Sequence, residues 1–210
     1  MYDKNRGILF REMRNHPRVP ERDEKQFPWL TILLDTYLIN DTGIELELAN
    51  EEQKRGTIAP CRQGCGNCCL RPKIPINELE IMGISWFVSN KLDETKKAIV
   101  KDQVFKQNES AKCPFLVEMR CAIYPVRPLA CRMFYIFGQP CGENEDVSET
   151  RVTAIWTHSR MLGLEVANVL LSFWNITSKK EKNVAFEQGF LYAKSRLMHT
   201  LSWGMIFQTP

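Results

Sequence analysis

Residues 61–69 read Cys61-Arg62-Gln63-Gly64-Cys65-Gly66-Asn67-Cys68-Cys69, and they hold four of the eight cysteines in this chain of 210 residues. The remaining cysteines follow further along the chain, and they are Cys113, Cys121, Cys131 and Cys141. Cysteines that only fill a core are scattered, whereas thiolates this dense are typical ligands of a soft metal ion or a metal–sulfur cluster. We therefore predict that metal organises this part of the chain.

The spacing within the first block predicts that at least three of its thiols converge. C-x3-C and C-x2-C loops bring sulfurs to the separation found in tetrahedral zinc and iron–sulfur sites, and Gly64 and Gly66 allow a tight turn around Cys65. A helix beginning at Cys65 would also place Cys65, Cys68 and Cys69 on one face. The adjacent pair leaves two alternatives: Cys68 and Cys69 serve two neighbouring metals, or one of them is a buried structural thiol.

The later cysteines lie in segments that proline stiffens. Two prolines force an extended path between Cys121 and Cys131. Pro128 suits the first position of a helix, which would place Cys131 in the first turn, where the helix dipole favours the thiolate. Cys113-Pro114 and Pro140-Cys141 are further stiffened ligand candidates. We predict all eight cysteines as metal ligands.

Cationic side chains accompany the cysteines. Those within four residues of a cysteine are Arg62, Arg71, Lys73, Arg120, Arg127 and Arg132. Four thiolates around a dication leave a negative site, which hydrogen bonds from cations just outside the ligands would neutralise. We expect Arg127 and Arg132 to supply such bonds, while Lys73 and Arg120 are expected to face solvent.

The rest of the chain predicts a mostly α-helical protein with a cysteine-rich, metal-stapled loop region and one small β-hairpin. The predicted helices have an apolar face or a polar cap, and they cover residues 29–39, 44–55, 77–90, 93–106, 152–174 and 184–205. Asp41-Thr42-Gly43 is expected to break the first two, and residues 178–182 are expected to form a solvated turn. Residues 115–117 and 121–124 are predicted to be the two strands of the hairpin.

Three segments follow from this pattern. Residues 1–57 form a helical N-terminal segment, residues 58–145 form the cysteine-cluster metal-binding domain, and residues 146–210 form a helical C-terminal segment. All three could also pack as one domain, since 210 residues suit one domain or one domain with a helical appendage.

Composition excludes several classes of partner. The net charge of +3 is too small to indicate nucleic acid or an anionic membrane as a partner. Residues 1–22 have no apolar core typical of a signal peptide, and the stretch 166–174 is about half as long as a membrane span requires. We therefore expect a cytoplasmic protein, in which eight cysteines do not form four disulfides. A disulfide framework, the alternative, would also have to explain the vicinal pair Cys68-Cys69, which can close only through a strained ring.

The cysteine blocks resemble a known family, the cysteine-cluster (CxxCxxCC, YkgJ-like) zinc- or iron-chelating domains. The matching residues span about 61–132, and they are Cys61-x3-Cys65-Gly66-x-Cys68-Cys69, Cys113-Pro114-Phe115-Leu116 and Cys121-x-Ile123-Tyr124-x2-Arg127-Pro128-x2-Cys131-Arg132. The resemblance implies metal binding. It implies no particular reaction, because the activity of the family is poorly defined.

Three functions are compatible with these observations. The leading hypothesis is a metal-binding protein whose cysteines chelate an iron–sulfur centre or zinc, with redox activity and a redox or protein partner. A four-iron cluster would use four of the cysteines, whereas two closed four-cysteine zinc sites would use all eight. The second is a radical S-adenosylmethionine-type or other iron–sulfur enzyme, similar to protein-modifying methylases, because Cys61-x3-Cys65-x2-Cys68 coincides with the cluster-binding triad of such enzymes. The third is a zinc-stapled helical adaptor.

Overall fold

The computed structural model describes residues 18–70, 73–106, 112–143 and 145–207. The start of the chain, on which the prediction of no signal peptide mainly rests, lies outside these residues, as does Arg71. Within the described ranges the chain forms nine α-helices and four two-residue strands. In chain order they are α1 Pro28–Arg55, β1 Pro75–Ile76, α2 Glu78–Asn90, α3 Glu94–Phe105, β2 Leu116–Val117, β3 Arg120–Cys121, α4 Leu129–Arg132, α5 Val147–Thr150, α6 Arg160–Leu170, α7 Lys179–Glu187, α8 Phe190–Ala193, β4 Arg196–Leu197 and α9 Trp203–Ile206.

The mostly α-helical fold class and the hairpin are confirmed. Strands β2 and β3 pair antiparallel, with Leu116 opposite Cys121. The turn between them places Glu118 and Met119 at positive φ, 48° and 58°, as a two-residue hairpin loop requires. A second antiparallel pair, β1 with β4, joins residues far apart in sequence and was not predicted. None of the helices in the described residues has the length and apolar character needed to cross a membrane.

The chain divides into two compact units, and the first consists of residues up to Arg55 together with Thr157–Ala193. Its main packing is between α1 and α6. Glu47 on α1 accepts hydrogen bonds from the backbone N–H of Ser159, at 2.8 Å, and from its hydroxyl. Ser159 also caps α6 by accepting from Leu162 N. One polar cluster therefore fixes both the start of α6 and its position on α1.

The predicted break in the first helix is wrong. Helix α1 runs without interruption through Asp41-Thr42-Gly43, and the Thr42 hydroxyl donates to the carbonyl of Leu38 within the helix. Gly43 serves packing instead, because a Cβ added there would lie 2.3 Å from Leu162 Cδ1. The glycine lets α6 approach α1 closely. From local propensity alone, the same glycine is interpreted as a helix breaker.

Gly43→Ala is expected to lower the free energy of unfolding by about 1 to 3 kcal/mol, the usual cost of overpacking. Leu162 is fully buried, so its methyl group cannot move aside freely. Urea unfolding followed by circular dichroism measures the effect, with Glu45→Ala on the exposed side of α1 as the control. A more stable Gly43→Ala protein would contradict the packing role, because alanine is the better helix former by about 1 kcal/mol.

The predicted helices near the C-terminus are partly wrong. Helix α6 with a 3-10 turn, Leu171–Trp174, accounts for only the second part of 152–174. The residues predicted as a turn, 178–182, open helix α7, because the Ser178 hydroxyl accepts from Glu181 N and caps it. Gly189, at φ 67°, then ends the helical path where the prediction continued it.

The second unit consists of Gly56–Trp156 together with Lys194–Pro210. The predicted caps of its two long helices are confirmed: the Asn77 side chain accepts from Glu80 N, and that of Asp93 accepts from Lys96 N. Phe115, at the start of the hairpin, packs edge-on against Trp203 of α9, with ring centroids 5.0 Å apart. Both rings are fully buried, so the C-terminal residues complete the core on which the cysteine segments lie.

Candidate metal centre

The first cysteine block folds against the turn of the hairpin because of its glycines. A Cβ on Gly66 would lie 2.4 Å from the carbonyl oxygen of Met119, so only glycine permits this approach. Gly64 adopts φ 90°, a conformation that other residues rarely adopt. Residues Asn67–Leu70 then form a 3-10 turn, and Cys69 N donates to Gly66 O at 2.9 Å. The block is therefore a tight knuckle, as its spacing predicts.

Backbone hydrogen bonds bring the later cysteines to this knuckle. Cys113 N donates to the carbonyl of Cys69 at 2.7 Å, and the Asn67 side-chain amide donates to the carbonyl of Cys141 at 3.1 Å. Cys121 lies in strand β3 and Cys131 in the single-turn helix α4. The structure thus brings together all four segments that carry cysteines.

Five thiol-bearing residues surround one cavity of about 150 Å³, and they are Cys61, Cys65, Cys68, Cys131 and Cys141. The other three lie close to these. Cys69 shares side-chain hydrogen bonds with Cys68 and with Cys113, and Cys121 is near enough to Cys131 to affect its ionisation. The adjacent pair therefore has separate surroundings, since Cys68 lines the cavity and Cys69 contacts Cys113.

Six thiols of this cluster have raised pKa values, which favour the protonated form. Burial raises the pKa of Cys61, Cys121 and Cys131, and it raises the pKa of Cys141 to about 11. Hydrogen bonding among the thiols is the largest cause of the raised pKa values of Cys68 and Cys69. The expectation that a helix dipole favours the Cys131 thiolate is wrong here, because desolvation in a cluster of thiols outweighs one helical turn. Metal binding would consequently release protons.

As free thiols, the cysteines are near one another but not in ligating positions. Among the described residues, no three His, Cys, Asp or Glu side chains stand as a group that could hold a metal ion. All eight cysteines lie in the described residues, and all are free. Metal binding would require these thiols to lose their protons and the sulfurs to move together.

The surroundings of the thiols fit a bound metal. The backbone N–H groups of Ile136 and Ile123 donate to the sulfurs of Cys61 and Cys121, and such bonds stabilise ligating thiolates. Arg127 Nε is buried without a hydrogen-bond partner in the described part of the chain. The Arg127 charge opposes the rise in pKa of four thiols, which are Cys61, Cys68, Cys121 and Cys131. This site therefore supplies both the sulfur ligands and a compensating cation.

The two predicted neutralising arginines have different surroundings. Arg127 stacks on Tyr124, with its guanidinium carbon 4.2 Å from the ring centroid, and it lines the thiol cavity. Arg132 is buried, and its guanidinium donates to the carbonyls of Arg127, at 2.9 Å, and Pro125, at 2.5 Å. Arg132 thus holds the loop that carries Arg127 and the path from Cys121 to Cys131.

Glu80 supports the site but was not singled out from the sequence. It is a buried carboxylate on α2 that accepts from Asn77 N, Asn77 Nδ2 and Leu129 N, at 3.0, 2.7 and 2.6 Å. Leu129 opens helix α4, so this one side chain joins the start of α2 to the turn that carries Cys131. The capping pattern Asn77-x-x-Glu80 is a visible signal for the first contact, but the sequence holds none for the second.

Comparison with known proteins gives one match. Residues 60–153 match the model of the CxxCxxCC family, described as a "putative zinc- or iron-chelating domain". The resemblance to the cysteine-cluster family is confirmed. The CxxCxxCC match includes all eight cysteines, and its description supports metal binding by zinc or iron, the two metals predicted. No curated protein and no solved structure matches the chain.

Proposed function

We propose that the cysteine cluster of this protein holds an iron–sulfur centre with redox activity. The observation that carries this proposal is the cavity of about 150 Å³ among Cys61, Cys65, Cys68, Cys131 and Cys141. One water needs roughly 10 to 15 Å³ of such space, so several atoms fit between these thiols. A zinc ion bound by four thiolates at about 2.3 Å needs no such space.

Charge and burial also support a cluster at this position. An iron–sulfur centre with four thiolate ligands is negatively charged, and Arg127 offers a half-buried cation, with its Nε atom fully buried, beside the thiols. The reduction potential of such a centre depends on solvent exposure and on hydrogen bonds to its sulfurs. Cys65 is exposed, so one edge of the centre lies where an electron-transfer partner could approach. A thiol-rich site of this kind suits a reducing compartment such as the cytoplasm.

The vicinal cysteines divide between two roles under this proposal. Cys68 would be a ligand on the cavity side, whereas Cys69 and Cys113, joined by a hydrogen bond, would lie on the other side with Cys121. Cys69, Cys113 and Cys121 would then either bind a second metal centre or stabilise the segments that hold the first. Four of the five cavity cysteines are enough for one four-iron cluster.

Anaerobic purification followed by metal analysis, acid-labile sulfide analysis and an absorbance scan tests the proposal. The expected result is a brown protein that contains iron and sulfide in comparable amounts and absorbs near roughly 400 nm. A colourless protein with stoichiometric zinc would overturn the iron–sulfur assignment and favour zinc-stapled structure instead. A protein that takes up neither metal would overturn metal binding by this site.

A further inference from the structure

A second cavity, of about 620 Å³, lies on the outer side of the cysteine segments. The knuckle residues Arg62, Gln63 and Gly64 form one wall. The hairpin forms another with residues 117 and 118 and 120–122, and Tyr124 and Lys96 complete the lining. Cys121 is part of this lining, and Arg62, Gln63 and Tyr124 line the thiol cavity as well, so the two cavities share a wall. Arg120 belongs to the second cavity and is absent from the lining of the first.

The charged side chains of this lining are mostly cationic. Three of its side chains are positively charged, Arg62, Lys96 and Arg120, and one, Glu118, is negatively charged. Lys96 is held by Asp93, with Nζ 3.0 Å from Oδ2. Asp93 therefore neutralises Lys96, and the two arginines are the cations that remain for a ligand.

The two arginines are available for a ligand. The side chains of Arg62 and Arg120 make no hydrogen bond or ion pair within the described residues, although the Arg62 carbonyl accepts from Cys65 N at 3.1 Å. A guanidinium presents five N–H donors in a planar fork that matches the two oxygens of a carboxylate or phosphate. Arginine, unlike lysine, also retains its charge in any environment. Two such groups, one from the knuckle and one from strand β3, can clamp an anion that neither would hold alone.

We propose that this cavity is a binding site for a small organic polyanion bearing phosphate or carboxylate groups. Arg62 and Arg120 clamp its oxyanions, and Gln63 and Tyr124 offer additional donors. A cavity this large accommodates more than a single inorganic ion. Because the anion would join the knuckle to the hairpin, its binding stabilises the two segments that position the thiols. Binding of the anion does not require a metal. An effect of the bound anion on the metal centre, by contrast, rests on the proposed function.

The probe for this site is 8-hydroxypyrene-1,3,6-trisulfonate, a rigid fluorescent polyanion whose sulfonates are poor ligands for iron and zinc. Fluorescence anisotropy measures its dissociation constant with the full-length, metal-loaded protein at low ionic strength. Arg120→Gln and Arg62→Gln are each expected to weaken binding about tenfold, which is the loss of one charge-assisted contact. Lys101→Gln, on α3 and outside the cavity lining, is the control for charge and is expected to bind as the unaltered protein does.

Competition then identifies the chemistry of the ligand. Sugar bisphosphates and tricarboxylates are expected to displace the probe, whereas acetate at equal ionic strength is not. Equal weakening by Lys101→Gln and Arg120→Gln would overturn the site, because it would show attraction by net charge alone. Unchanged binding in both arginine variants would overturn it as well. Metal content, measured on the same samples, reports separately on the proposed centre, so failure of one proposal is distinguishable from failure of the other.

Discussion

Cys131→Ser is expected to remove most of the bound metal and to lower the free energy of unfolding by about 3 kcal/mol or more. Cys131 lines the thiol cavity from helix α4, and its ionisation is affected by Cys69, Cys68 and Cys121. Structural zinc contributes roughly 10 to 16 kcal/mol of apparent binding free energy to small domains. Loss of one thiolate ligand therefore removes a large share of what folds this unit.

Metal analysis and thermal unfolding measure the two effects in the same preparation. Ala130→Ser is the matched control, since it adds the same hydroxyl one residue earlier in the same turn. This control is expected to keep its metal and to unfold near the temperature of the unaltered protein. A Cys131→Ser protein with full metal content would show that Cys131 is not a ligand.

Cys65→Ser separates a structural from a functional centre. Cys65 is exposed, so its replacement disturbs little packing and acts mainly through the metal. If the metal is structural, Cys65→Ser unfolds the unit that carries the cysteines. If the centre is functional, the protein stays folded but loses its colour.

The sequence predicts the parts of the fold that depend on neighbouring residues. Asn77 and Asp93 cap α2 and α3 as predicted, because capping is a contact between residues three apart. The role of Gly43 depends on Leu162, far along the chain, and no local pattern reports that contact. The pairing of β1 with β4 is undetectable for the same reason, since two strands of two residues carry no alternation.

The candidate site follows the same division. Residue type and spacing indicate the eight thiols as candidate ligands. The structure brings the segments that carry them together. The surroundings of each sulfur depend on packing instead: the sequence leaves open how Cys68 and Cys69 differ, and it treats Arg127 and Arg132 alike. The structure distinguishes them because Arg132 bonds loop carbonyls, whereas Arg127 lines the thiol cavity.

Glu80→Ala is expected to lower the free energy of unfolding by about 3 to 5 kcal/mol, although the hydrogen bonds of the Glu80 side chain reach Asn77 and Leu129 and not a cysteine. The substitution leaves the N–H groups of Asn77 and Leu129 buried without their acceptor, and each such group costs about 1 to 3 kcal/mol. Because Leu129 opens the turn that carries Cys131, metal affinity is expected to fall as well. Ser89→Ala, an exposed change near the end of the same helix, is the control and is expected to alter stability by less than about 0.5 kcal/mol.

The pH dependence of the same site gives an independent test. Burial raises the pKa of Glu80 from 4.5 to about 7, despite the N–H groups that favour its ionised form. An acid whose pKa is higher in the folded state stabilises folding fully below its unfolded pKa, and this contribution is lost as the pH rises through the folded pKa. The free energy of unfolding of the unaltered protein, minus that of Glu80→Gln, should therefore decrease between pH 4.5 and pH 7. A difference that is constant over this window would contradict the raised pKa, because it would mean that the hydrogen bonds to Glu80 offset its burial.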